Sequence, residues 1–143
     1  MINSLISAIS IRLNDEFGDE YAIYAEKVEQ GLKEPCFFIT AVSNTFTQKL
    51  GDRYFRKNYF CIQFFPKDTL SPVKECTMVA ERLLLTLEYV NLNGELIKGT
   101  QAEYEINDGI LSYFIHYDLY VYNNPEPQPI MEHLEKIEME ADL

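Results

Sequence analysis

The chain has 143 residues, of which 47 % are hydrophobic and 24 % charged, and it carries a net charge of −11 at pH 7. That length buries about two-thirds of the surface an unfolded chain exposes, enough for one core, and the composition speaks against both wholesale disorder and a membrane protein. The acidic balance works against non-specific DNA binding, which rests on Lys and Arg neutralising phosphates, while three cysteines (Cys36, Cys61, Cys76) with no C-x-x-C pair fit a reducing compartment.

In chain order, Ile2, Leu5, Ile6, Ile9, Leu13 and Phe17 recur at spacings of three and four. The spacing predicts an opening helix with one apolar stripe, ended by Gly18. Residues 21–28 read as a short strand before the break at Gln30-Gly31. Residues 35–46 are rich in β-branched and aromatic side chains. Residues 53–65 alternate, with Tyr54, Arg56, Asn58, Phe60, Ile62 and Phe64 on one face. The polar stretch 47–52, which contains Gly51, joins the two into a long antiparallel hairpin whose tip is free to stand clear of the core.

Pro66 closes that strand, and a second helix follows: Ser71 is its N-cap, Pro72 its first residue, and Cys76, Val79, Ala80, Leu83, Leu84 and Leu87 its apolar stripe. Asn93-Gly94 and Asp108-Gly109 are two-residue hairpin signals that divide the rest into strands 89–92, 95–106 and 110–122. In the last of these, Leu111, Tyr113, Ile115, Tyr117, Leu119 and Val121 face the core. Ser112, Phe114, His116, Asp118, Tyr120 and Tyr122 face the other way, and their aromatic members suit either cover by a helix or contact with another subunit.

Beyond Tyr122, Pro125, Pro127 and Pro129 make a linker. Ile130, Met131, Leu134 and Ile137 then suggest a short amphipathic helix that needs something to dock on. Residues 124–143 hold six acids and one lysine, a net −5. The expected architecture is a single α+β domain over 1–123, with a mixed or mainly antiparallel sheet, a long hairpin and two packed helices. A Pro-rich linker and acidic C-terminal tail or short helix follow over 124–143.

Chemistry-bearing constellations are sparse. Cys61 or Cys76 with His116 is the one thiol–base pairing the composition offers. Nothing local lowers a thiol pKa, so structural thiols and a sheet-face histidine are the simpler reading. Asp15, Glu16, Asp19 and Glu20 lack the alternating oxygen ligands of a calcium loop and read as a solvated helix end. No glycine-rich phosphate loop occurs. No catalytic, cofactor-binding or metal residue is expected, and the chain is not read as an enzyme.

A basic and aromatic mixture at Lys49, Arg53, Tyr54, Phe55, Arg56, Lys57, Asn58 and Tyr59 resembles a nucleic-acid patch. Alternation splits it, with Arg53, Phe55, Lys57 and Tyr59 on one side and Tyr54, Arg56 and Asn58 on the other. An exposed arm with solubilising charges accounts for it. So does a basic arm that meets the acidic surface of the next subunit and fixes the register of self-assembly. The candidate contact residues are therefore Phe46, Lys49, Arg53, Phe55, Arg56, Lys57 and Tyr59, with Met131 and Leu134 of the tail.

Several stretches, taken in order, resemble the tail terminator proteins of phages and defective prophages of Gram-positive bacteria. They are the opening MINSLISAISIRLNDEFG, then QGLKEPCFFI from Gln30, RYFRK from Arg53, AERL from Ala80, IKGT from Ile97, and the DGIL turn at Asp108 leading into Tyr117-Asp118. The resemblance covers Met1 to about Tyr122. It implies a small subunit that forms a homo-oligomer, typically a hexameric ring, on the head-proximal end of the tail tube. Such a ring stops tube growth and meets the head connector, with tube or sheath proteins as partners and DNA only passing through the lumen. No cofactor carries over. The expected location is the host bacterial cytoplasm during assembly and then the virion tail, with no membrane association. Another head–tail joining or neck completion protein is the main alternative, followed by a cytoplasmic binding module or a small enzyme.

Overall fold

The computed structural model describes residues 1–25, 31–67 and 70–122. Along the chain these form α1 (Ile2–Phe17), β1 (Ala22–Tyr24), β2 (Cys36–Gln48), β3 (Arg53–Phe65), α2 (Pro72–Thr86), β4 (Tyr89–Leu92), β5 (Glu95–Asn107), β6 (Ile110–Tyr117) and β7 (Leu119–Tyr122). The strands lie side by side as β1-β2-β3-β6-β5-β4, and β7 continues past the end of β6 along β3. Among the described residues only the β1–β2 pair is parallel. The fold is thus α+β, with a mixed, mostly antiparallel sheet and two helices, as the sequence pattern predicts.

One sheet face makes the core. Phe37 and Ile39 of β2, Phe60, Ile62 and Phe64 of β3, and Leu111, Tyr113, Ile115 and Tyr117 of β6 are buried there. Leu5, Ile9 and Leu13 of α1 and Val79, Ala80 and Leu83 of α2 join the same cluster. Each large side chain so buried contributes about 1.5–3 kcal/mol. Leu84 departs from the expected stripe and is 46 % exposed. Successive helical residues are rotated by ~100°, so with Leu83 facing the sheet its neighbour turns to solvent, and Thr86 takes the next buried position.

The helices are joined by reciprocal arginines near their C-terminal ends. Arg12 of α1 donates from Nε to the Thr86 carbonyl of α2 at 3.0 Å. Arg82 of α2 donates from Nη2 to the Glu16 carbonyl of α1 at 3.1 Å and pairs with the Glu16 carboxylate. The Arg82 guanidinium also lies 4.1 Å from the centroid of Phe17. Each cation thus faces the partial negative charge and open carbonyls at the end of the other helix.

Both two-residue turns adopt the mirror-image geometry that suits twisted hairpins, with positive φ at Asn93 (54°) and Gly94 (89°) and at Asp108 (52°) and Gly109 (74°). Gly99 has a different role. A Cβ there would collide with Ile115 Cδ1 and stand 2.8 Å from the Leu87 carbonyl oxygen. That same oxygen accepts a 2.6 Å hydrogen bond from the buried Tyr117 hydroxyl. The glycine lets β5 pass close over the end of α2.

Two strand expectations are corrected. The described part of the first strand is Ala22–Tyr24, and residues 26–30 lie outside the described residues. The strand expected over 110–122 is two strands broken at Asp118. The Asp118 carboxylate accepts from the Asn58 backbone N–H at 3.2 Å, and Asn58 Nδ2 donates to the Tyr117 carbonyl at 2.8 Å, so side chains replace ladder bonds at the break. In β5 the register shifts between Thr100 and Glu103, where Gln101 takes a positive φ of 53°. The linker, the acidic tail and the helix expected around residues 130–137, with Met131 and Leu134, lie outside the described residues.

Candidate subunit interface on the hairpin arm

β2 and β3 pair without interruption from Ser43–Tyr59 to Gln48–Tyr54, beyond a bulge between Ala41 and Ser43. The tip is closed by Lys49 N–H to the Arg53 carbonyl at 2.7 Å and by Gln48 Nε2 to the Gly51 carbonyl at 3.3 Å. In this distal half the β2 side chains, residues 43–48, are exposed.

β7 joins this arm. Leu119 lies opposite Arg56, Tyr120 opposite Phe55, Val121 opposite Tyr54 and Tyr122 opposite Arg53, so the arm is a three-stranded ribbon with β3 at its centre. Sequence reading missed this, since the expected strand 110–122 carried no sign of where its end would pair.

The candidate residues divide between the two faces of the ribbon. Phe46 stands across from Arg56 and stacks on Tyr54, with ring centroids 4.7 Å apart. The Arg56 guanidinium lies 5.2 Å from the Phe46 centroid, and its burial lowers its pKa. This cluster continues the core face, where Arg56 and Asn58 of β3 are buried and Val121 of β7 joins the core cluster. Phe46 is 47 % exposed.

On the opposite face, Phe55 meets Tyr120 at 4.8 Å. Lys49 Nζ stands 5.9 Å from the Phe55 centroid and Arg53 Cζ stands 5.0 Å from that of Tyr120. Such contacts hold cations over aromatic rings at the surface, each worth about 0.5–1 kcal/mol. Lys57 is exposed on the same face, and Tyr120 and Tyr122 are 50 % and 60 % exposed. Tyr59 stacks on His116 at 4.2 Å and on Phe114 at 5.8 Å. Burial raises the Tyr59 phenol, helped by the charges of Glu103, Cys61 and Glu105. This face therefore runs from cations at the tip, through an aromatic belt, to the carboxylates of β5.

The thiols are placed differently. Cys36 and Cys76 are buried and Cys61 is half-buried, and all three are free. Burial first raises each thiol above its ordinary pKa, and the nearby Glu34, Glu105 and Glu75 act the same way on Cys36, Cys61 and Cys76 respectively. A nucleophilic cysteine needs the opposite shift. Among the acids noted in the sequence, Asp19 accepts from Asn14 Nδ2 at 3.0 Å and Glu16 pairs with Arg82. Among the described residues no helix is long and apolar enough to cross a membrane.

A family model described as phage tail terminator protein matches residues 4–129. No curated protein matches the chain.

Proposed function

The chain belongs to the phage tail terminator family, and from that membership we propose that it closes the tail tube as a homo-oligomeric ring and presents a surface to the head connector. As a tail component its place is in the virion tail, and its partners are tail and head proteins. We propose that the ring is a hexamer.

The observation that carries the reading is the arm. Its β2 strand is exposed over residues 43–48, and it bears two dissimilar faces: half-exposed Phe46 beside buried Arg56 on one, and a cation-to-carboxylate gradient on the other. Ring closure by head-to-tail contact uses two different patches on each subunit, and such a gradient favours one orientation of neighbours. We assign Phe46, Lys49, Arg53, Phe55, Arg56, Lys57 and Tyr59 to that contact, with Met131 and Leu134 of the acidic tail supplying a second, tethered one. The net charge of −11 suits a wall that DNA passes without adhering.

Deletion of the gene tests the reading. The expected result is tails of uncontrolled length that fail to join heads, seen by electron microscopy. Normal virions from the deletion would overturn it. Tails of normal length that merely lack heads would reassign the chain to head–tail joining.

A further inference from the structure

We infer that neighbouring copies of this chain join edge to edge, the outer edge of β2 in one copy pairing as a parallel strand with the outer edge of β7 in the next. The inference rests on the ring reading and specifies how the ring closes.

Among the described residues, no strand lies against the outer edge of β2 beyond Phe38, or against the outer edge of β7. Open edges are normally blunted by lysines, prolines or bulges, because their free amides and carbonyls recruit other chains. The edge Ser-Asn-Thr-Phe-Thr-Gln over residues 43–48 has none of these. It carries no charge and no proline, and it keeps register with β3 after the single bulge. The β7 edge, Leu-Tyr-Val-Tyr over 119–122, is also uncharged.

The occupant follows from the ribbon itself. Phe46 and Leu119 both flank Arg56, Thr47 and Tyr120 both flank Phe55, and Gln48 and Val121 both flank Tyr54. The two open edges therefore lie at the same level on opposite sides of β3. A second copy placed beside the first brings a β7 edge to a β2 edge and leaves each subunit with one of each used, which is the condition for a repeating head-to-tail contact. Both edge strands run antiparallel to β3 and so parallel to each other. Rotation about an axis along the ribbon keeps them parallel across the junction.

The faces also agree. A sheet continued through the junction sets Phe46 beside the partly buried Leu119 of the neighbouring copy, and Thr45 and Thr47 beside its exposed Tyr120 and Tyr122. Aromatic and β-branched neighbours of this kind stabilise paired strands. A strand from an unrelated protein would satisfy one edge and leave the other open.

The test uses the full chain, by native mass spectrometry and sedimentation velocity, alone and on isolated tail tubes. The variant Thr47→Lys, whose cross-strand neighbour is Phe55 rather than a cation, charges the open edge. We expect it to retain the wild-type circular dichroism spectrum and to lose about tenfold or more in association constant. Thr45→Cys and Tyr120→Cys chains, mixed and oxidised, should give a mixed disulfide dimer, whereas Thr45→Cys alone should not. Rings that persist in the lysine variant, or Thr45→Cys chains that cross-link to each other, would overturn the edge pairing while leaving the ring intact. A wild-type chain that stays monomeric at every concentration and on tubes would overturn the ring and the pairing together.

Discussion

Burial of Tyr113 and Tyr117 on the core face of β6 holds two phenols in their neutral form. Burial raises Tyr113 to about 12 and raises Tyr117 as well, where Tyr113 adds to the effect and Arg12 opposes it. In the unfolded chain both ionise near pH 10. Above that pH the unfolded state holds fewer protons than the folded one, so stability falls as pH rises. The contribution is fully present below pH 10 and is lost as pH climbs from about 10 to 12. Urea unfolding at pH 8 and pH 11 should show wild type losing on the order of 1–3 kcal/mol across that interval, and Tyr113→Phe losing less. An equal loss in the variant would show that other groups set the alkaline limit. Alternation along the strand made both tyrosines legible as core residues. The partner of the Tyr117 hydroxyl was not legible, because the Leu87 carbonyl reaches it only through the packing of α2 on the sheet, thirty residues away in sequence.

The helices and the two-residue turns were legible from local rules, and the breaks set by a distant partner were not. The two helices follow from spacings of three and four, and both turns follow from Asn-Gly and Asp-Gly, which tolerate positive φ. The break at Asp118 and the bulge at Gln101 depend on which strand lies alongside. Asp118 gave a sign all the same, since aspartate is disfavoured inside a strand. Gly99 gave one too, as glycine within a strand often marks the close approach of another segment. Gly99→Ala should lower stability by about 1–3 kcal/mol, because the added methyl must displace Ile115 and the Leu87 carbonyl. Chemical denaturation measures this directly, with Gly99→Ser expected to cost at least as much. A neutral Gly99→Ala would mean that the end of α2 yields freely.

At the level of the whole molecule, the helices pack on one side of the sheet and the distal half of β2 is left exposed at its edge. The arm was legible as a hairpin with split charges because its side chains alternate. Its third strand was not, since Asn58 and Asp118, which set the junction, are sixty residues apart. The tip cations Lys49, Arg53 and Lys57 and the β5 carboxylates Glu103 and Glu105 are separated along one face, so the ring proposal assigns them to the approach of neighbours. Lys57→Glu should slow assembly several-fold in stopped-flow light scattering at low salt, and added salt should slow the wild type in the same way. Insensitivity of the rate to both would remove these charges from the assembly route. The uncharged edge of residues 43–48 has a different kinetic consequence. Backbone pairing between neutral strands is little screened by ions, so salt that delays the meeting of two subunits leaves their dwell time together almost unchanged. A tail cap joined in this way would form at a rate set by its surroundings and, once closed, persist independently of them.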